Sequence, residues 1–342
     1  MAGRFQLVRV LPFSFSLCLF SDTVSAQPRQ NYYSNICPNV ESIVRNAVQK
    51  KIQQTFTTVP PTVRLFFHDC FVQGCDASVI IQSTPTNKAE KDHPDNLSLA
   101  GDGFDTVIKA KGAVHAVPSC RNKVSCADIL AMATRDVIAV SGRPSYAVEL
   151  GRLDGRSSTA ASVNDKLPKP TYNLNQLNSL FAANGLSQTD MITKSIRITG
   201  FSAAAHTVGF SHCGKLSNRN IQFQSSKSSS PYTQQGLRNS ATAEVPRKVD
   251  SRMAINMEPN TPNSFDNAYH HNLRKGQGLF TFDQVLFSDP RSRPTVNAWA
   301  TNFPAFQIAF VADITKCGRF RVKTGRNGNI RRDCTILNQS EI

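Results

Sequence analysis

After its first 26 residues the chain has no apolar run approaching the ~18 residues that a bilayer-spanning helix needs, so nothing beyond the leader reads as a membrane segment. Alternating apolar and polar stretches of the strand type are few and short, which leaves helices as the main element. No internal repeat and no heptad array occurs, so solenoids and coiled coils are excluded. Acidic residues are in short supply: 24 Asp and Glu stand against 39 Lys and Arg, a formal charge of +15. The basic residues are scattered and no aromatic-rich basic motif accompanies them, which argues against nucleic-acid binding. Such a surface adheres instead to polyanions such as acidic polysaccharide. The histidines offer no zinc set either. His212 with Cys213, and adjacent His270 and His271, lack tetrahedral-site spacing and read as surface residues.

The first residues form a secretory signal. Arg4 and Arg9 give a positive start, Leu11 to Phe20 an apolar stretch, and Val24-Ser25-Ala26 a small-residue cleavage site. Removing residues 1–26 takes the formal charge to +14 and leaves eight of the nine cysteines. An even number in an oxidising compartment points to disulfides, with Cys70 and Cys75 close enough to pair and Cys317 without an obvious partner. The remaining length suits one large domain or two smaller ones.

The apolar periodicity is helical. Val40, Ile43, Val44, Ala47 and Val48 share a face. Ser125 can cap a helix carrying Ile129, Leu130, Ala133 and Val137, with Asp128 three residues on and Gly142 as the stop. Leu174, Leu177 and Phe181 form a stripe ending at Asn184-Gly185, and Ser187 with Asp190 repeats the capping pattern. Val296, Trp299, Phe303, Phe306 and Phe310 suggest one late helix. Residues 222–247, rich in Ser, Gln and Thr, read as a long loop. Glycosylation sequons begin at Asn96 and Asn338, the second in a polar tail and the better acceptor.

Chemistry concentrates in Arg64-Leu65-Phe66-Phe67-His68-Asp69-Cys70. Arg64 and His68 are four residues apart and so share a helix face. A guanidinium on a Phe-rich face is costly to bury unless it faces a polar cavity. A cation beside an imidazole can hold negative charge on one atom while a proton leaves its neighbour. The following Asp69, Asp76 and Ser78, around Cys70, Gly74 and Cys75, offer oxygen ligands of the kind calcium takes. A disulfide-tied turn with solvated acids explains the same residues, and spacing alone does not separate the two. A second histidine stands far downstream in Ala205-His206-Thr207-Val208-Gly209.

The run Arg64 to Cys75 resembles the distal motif of the class III secretory plant haem peroxidases. Further matches include Asn35-Ile36-Cys37-Pro38-Asn39, Ala89-Glu90-Lys91-Asp92, Val124-Ser125-Cys126-Ala127-Asp128, Leu150-Gly151-Arg152-Leu153-Asp154-Gly155, His206-Thr207-Val208-Gly209, Phe265-Asp266-Asn267, Asp283-Gln284 and Asn329-Ile330-Arg331-Arg332-Asp333-Cys334. The resemblance implies a mostly α fold with very little β, residues 27–342 forming one haem peroxidase domain. Its distal half would span roughly 27–170 plus the C-terminal tail, and its proximal half roughly 171–315, with haem b between them. By the same resemblance His68 is the distal acid–base, Arg64 the stabiliser of charge on the breaking O–O bond, and Phe67 the aromatic that shields the ferryl oxygen. Asn96 accepts from the other ring nitrogen of His68, and Glu90 orients Asn96. His206 is the iron ligand, with Asp283 accepting its other N–H. Two calcium ions are implied. The distal one takes Asp69, Asp76, Ser78 and the carbonyls of Val72 and Gly74. The proximal one takes Thr207, Thr261, Asp266 and the Ser264 carbonyl, with Glu258 where the family has Asp. The implied disulfides are Cys37–Cys120, Cys70–Cys75 and Cys126–Cys334.

The implied activity is reduction of hydrogen peroxide with one-electron oxidation of small phenolic donors, by a monomer in the apoplast or cell wall, with acidic wall polysaccharide as a further partner. No nucleic-acid or membrane partner is expected. Several features depart from the family pattern. Residues 193–205, just before His206, are longer than usual by about a helical turn or two. Cys213 lacks its family partner, expected near Ala241, and residues 225–247 diverge. These departures support an alternative: a catalytically impaired, peroxidase-shaped protein that binds the wall. A disulfide-rich calcium module is a third reading, but it leaves Arg64, Asn96 and His206 unexplained.

Overall fold

The structure, a computed structural model, describes residues 27–142, 145–195, 210–212, 254–256, 261 and 264–338. Ten α-helices lie among them, with one two-stranded antiparallel pair. Helices α1 (Val40–Gln54), α2 (Val59–Val72), α3 (Gly101–Ala116) and α4 (Cys126–Val140) form a first group, in which α1 and α2 each pack on both α3 and α4. Helices α5 (Leu174–Ala182), α6 (Gln188–Ser195), α7 (Ala268–Arg274), α8 (Thr281–Ser288), α9 (Arg293–Thr301) and α10 (Phe303–Cys317) form a second. Strands β1 (Phe210–His212) and β2 (Ala254–Asn256) pair with Phe210 opposite Asn256.

The apolar stripes expected of α1, α4 and α5 face the core, and both Ser125 and the Ser187–Asp190 pair cap as their spacing implies. Asp128 departs from the simple capping reading. Its backbone N–H donates to Ser125 Oγ, while its carboxylate turns away to Tyr33 Oη at 2.8 Å, Gly151 N at 2.6 Å and Arg152 Nη1 at 2.9 Å. The single late helix expected across Val296 to Phe310 is two. Asn302 ends α9 and its side chain accepts from Ala305 N at 3.0 Å to start α10, where Pro304 sits in the first turn and has no N–H to lose. His270 also departs from expectation. His271 is exposed, but His270 is fully buried against Phe306, with ring centroids 5.0 Å apart, and burial pushes it down to about 3, so it is neutral. The stretch 222–247 and Cys213 fall outside the described residues, whereas Cys317 is buried at the end of α10.

The chain's end returns to the first helical group. Gln82 N donates to Thr335 O at 2.8 Å, Cys75 N to Phe320 O at 3.1 Å and Asp154 N to Asn329 O at 2.7 Å. Disulfide Cys126–Cys334 ties this segment to the start of α4 across 208 residues, and Cys37–Cys120 ties the approach to α1 to the segment after α3. Arg152 adds a third tie: its Nε donates to Gly318 O at 2.8 Å while its Nη1 pairs with Asp128, both side chains being buried. Truncating one partner of a buried ion pair costs about 3–5 kcal/mol, because the other charge is stranded. Arg152→Met is therefore expected to lower unfolding stability by that order in denaturant titration; a loss below about 1 kcal/mol would refute the role assigned to the pair.

Candidate active site

Helix α2 begins at Val59-Pro60-Pro61, where prolines fill first-turn positions whose N–H groups have no intrahelical acceptor. All fourteen of its residues are buried, so it is a core helix on every side. This buries Arg64 and His68 together, and the i, i+4 spacing places Arg64 Nε 3.2 Å from His68 Nε2. The remaining guanidinium nitrogens donate to Ser98 O at 2.6 Å and Ser98 Oγ at 2.8 Å. Loss of solvent lowers Arg64 to about 9, which leaves it charged at neutral pH. Phe67 lies edge-on to His68 with centroids 5.9 Å apart and packs on Phe71 at 4.1 Å.

The hydrogen bonds assign the tautomer of His68. Asn96 Nδ2 donates to the Glu90 carbonyl at 2.8 Å, so Asn96 Oδ1 faces His68 Nδ1 at 2.6 Å and must accept. Nδ1 then carries the proton, and Nε2 presents a lone pair to the donor Arg64 Nε–H. Glu90 holds Asn96 through its main chain. Its carboxylate points elsewhere, accepting from Ser78 Oγ at 3.2 Å and Ser162 Oγ at 3.1 Å. Ser98 and Ser162 were not singled out from sequence. Ser98 belongs to the Asn96 sequon, yet Asn96 is buried in the relay and Ser98 holds Arg64, so this motif serves the site and takes no glycan.

Beside α2 lies an acidic cluster. Asp69 Oδ2 accepts from Ala77 N at 2.8 Å and Asp76 Oδ1 from Ser78 N at 3.1 Å, with Lys323 Nζ 3.7 Å from Asp76 Oδ2. The chain between Asp69 and Asp76 is closed by Cys70–Cys75. Gly74 turns it at φ +114°, where an added Cβ would lie 2.5 Å from Arg321 O. Gly155 lets a second chain segment press on Asp76, since a Cβ there would lie 2.6 Å from Asp76 Oδ2. Asp69, Asp76 and Glu90 are all buried, and burial raises all three; the charge of Asp76 raises Asp69 and Glu90 further, Glu90 to about 8. No trio of His, Cys, Asp or Glu among the described residues closes around a point as a metal cage. The carboxylates of Asp69 and Asp76 and the hydroxyl of Ser78 are an oxygen-only set of the kind calcium takes.

The second helical group carries Asp283, the third residue of α8 and fully buried. Its Oδ2 accepts from Phe280 N at 2.8 Å and its Oδ1 from Tyr269 Oη at 2.9 Å. A carboxylate is favoured in a helix first turn. His206, Thr207 and Glu258 lie outside the described residues. Of the other residues expected around a second ion, Ser264 N donates to Thr261 O at 3.0 Å, and Asp266 Oδ1 accepts from Ala268 N at 2.9 Å at the start of α7.

The raised carboxyl of Glu90 gives a signed pH dependence. The folded chain holds this proton to about pH 8, whereas an ordinary Glu releases it near 4.5. The stabilisation is complete below the ordinary value and disappears as pH rises through the folded one. With chelator present, stability should fall from about pH 4.5 to about pH 8, and Glu90→Gln should flatten that slope. Identical slopes in the two proteins would exclude Glu90 as the source.

Comparison with known proteins finds relatives along nearly the whole chain. The profile of the family described as Peroxidase matches residues 44–302. Peroxidase 73 of Arabidopsis thaliana is 60% identical over 336 residues, covering 98% of this chain and all of that protein. Peroxidase 51 of the same plant is 62% identical over 94% of this chain and 96% of its own length, and Peroxidase 16 is 57% identical over 98% and 99%.

Proposed function

The chain belongs to the class III plant peroxidases, and from that premise we propose that it reduces hydrogen peroxide and oxidises small phenolic donors with haem b held between His206 and His68. It is a peroxidase with a haem cofactor by family, and the fold is the mostly helical one that the family implies. The observation that carries the assignment of roles is the relay from the Glu90 carbonyl through Asn96 to His68, with Arg64 on the same helix face.

The distal residues fit the group. A charged guanidinium and a neutral imidazole share a buried face beside a phenyl ring, and that combination has no use in an apolar core. Haem, when bound, supplies the two electrons that cleave the O–O bond and recovers them singly from two donors. The protein's share is proton handling. His68 Nε2 takes the proton from one oxygen of hydrogen peroxide and delivers it to the other, which departs as water. The Asn96 bond keeps Nδ1 protonated and so keeps Nε2 basic. Arg64 Nε–H occupies that lone pair in the structure and yields it to the peroxide O–H. The guanidinium then stabilises negative charge on the departing oxygen. Phe67 excludes water from the same face. On the other side, His206 would hold the haem iron and Asp283 would accept its N–H, which would make the imidazole a stronger donor.

Two calcium ions complete the proposal. Asp69, Asp76, Ser78 and the carbonyls of Val72 and Gly74 take the distal ion, whose charge offsets the buried acids. Thr207, Glu258, Thr261, Ser264 and Asp266 take the proximal one. The distal half comprises residues 27–170 with the returning C-terminal segment, and the proximal half residues 171–315. The packing of α1–α4 and of α5–α10 as separate groups supports that division. Residues 1–26 direct secretion, and three disulfides suit the apoplast or wall. No described helix is long and apolar enough to cross a membrane. The charge of the mature chain, +14, favours acidic wall polysaccharide as a contact for the monomer. Nothing in the comparisons supports the catalytically impaired alternative. Of the stretch 193–205 that suggested it, residues 193–195 form the last turn of α6 and the rest lies outside the described residues.

Mature protein refolded with haem and calcium should show a Soret band and turn over guaiacol with peroxide. His68→Leu and Arg64→Leu should each slow the reaction with peroxide by about 10²–10⁴-fold while haem stays bound. A haem-loaded wild type without turnover, or an unchanged peroxide rate in His68→Leu, overturns the reading.

A further inference from the structure

The buried carboxylate of Asp283 is shared, and one sharer has no part in the chemistry so far. Tyr269 is the second residue of α7 and is buried, with its hydroxyl 2.9 Å from Asp283 Oδ1. Its position is fixed from outside: Asn267, one residue before α7, donates from Nδ2 to Ala300 O at 2.8 Å and Trp299 O at 3.2 Å, which pins α7 to the end of α9. Burial, and then the charge of Asp283, hold the phenol well above its ordinary value of 10, so the hydroxyl keeps its one proton. A hydroxyl 2.9 Å from a carboxylate oxygen donates that proton to it. Phe280 N–H meets the other oxygen.

A carboxylate pulls on an imidazole N–H in proportion to the charge it retains. Every other donor it accepts reduces that charge. We infer that Tyr269 is a positioning residue that sets the strength of the proximal ligand, its hydroxyl competing with the His206 N–H for Asp283. The inference rests on the proposed pairing of Asp283 with His206 and adds the group that moderates it. Without Tyr269 the carboxylate would be more basic, the imidazole closer to imidazolate, and the ferric iron more stable relative to ferrous. The arrangement thus holds the site short of the full push that Asp283 alone would exert.

The test is the ferric–ferrous equilibrium of the haem-loaded protein, read by spectroelectrochemical titration, with the iron–imidazole stretching band as a second readout. A hydrogen bond to a charged group contributes about 1.5–3 kcal/mol. Tyr269→Phe should therefore favour the ferric state by about tenfold, about 59 mV more negative for a one-electron couple, and raise the stretching frequency. Asp283→Asn should shift both in the opposite direction. In the Asp283→Asn background, Tyr269→Phe should change the equilibrium by less than about twofold, because the charge it moderates is gone. Incorporation of 3-fluorotyrosine at position 269 keeps the shape and strengthens the donor, so the potential should move up. If Tyr269→Phe fails to hold haem, the fluorinated protein decides alone, and no upward shift overturns the inference. A response to Asp283→Asn without one to Tyr269→Phe overturns the inference and leaves the proximal assignment standing. The same Tyr269→Phe shift in both backgrounds would mean that Tyr269 acts through packing, which also overturns it. No response to Asp283→Asn defeats the proximal assignment itself, and the inference with it.

Discussion

The bond between His68 Nδ1 and Asn96 Oδ1 decides what the rest of the distal side can do. A histidine has two nitrogens and one mobile proton, and a base needs its lone pair on the correct one. Asn96 could present its amide nitrogen to the ring and reverse the tautomer. It does not, because the Glu90 carbonyl demands that nitrogen as a donor. A main-chain carbonyl cannot change its acceptor character, so the polarity of the relay is fixed at its far end by the backbone. Everything else on this face follows: Arg64 meets a lone pair instead of a like-signed N–H, and a cation can sit 3.2 Å from an imidazole.

The carboxylate of Glu90 is free for a second task because its main chain performs the first. It joins Asp69 and Asp76 in a buried acidic cluster that no apolar core would tolerate without a cation or protons. Asp69 belongs to α2 and adjoins His68, and the loop bearing Asp76 follows the end of that helix. Whatever neutralises them therefore also sets how firmly the base is held. The two halves treat a buried acid in the same way: it meets a hydroxyl, Ser78 and Ser162 for Glu90 and Tyr269 for Asp283.

Much of this was legible in the sequence where the determinants are local. The i, i+4 pairing of Arg64 and His68, the caps at Ser125 and Ser187, and the Cys70–Cys75 loop each lie within a few residues. The aromatic stripe from Val296 to Phe310 read as one helix because periodicity runs through Asn302; only the capping of Ala305 by Asn302 and the place of Pro304 reveal the break. His270 read as a surface residue because adjacent histidines give no phase, and packing against Phe306 put one inside. Ser98, Ser162 and Tyr269 were invisible for a different reason. Each acts on a group 14 to 72 residues away, and a serine or tyrosine carries no local signal for such a partner. Asp283 came from resemblance, since an acid in a helix first turn is common.

The distal site is local in sequence but not in its restraint. The loop that carries Asp76 and Ala77 is gripped by the chain's other end, with Arg331 Nη2 on Ala77 O at 2.7 Å and Cys75 N on Phe320 O at 3.1 Å. Arg331 N in turn meets Asp154 Oδ2 at 2.8 Å, and Asp154 Oδ1 accepts from Ala127 N, beside the Cys126–Cys334 disulfide. These contacts span up to 254 residues, so they form only when the whole chain has folded. Local helix propensity can bring Arg64 beside His68, but the surrounding loop is held by contacts with the distant C-terminal segment. Precision at the base therefore depends on closure of the C-terminal segment as much as on the helix that carries it. A lesion near Cys334 should consequently disturb the distal acids before it disturbs α2 itself.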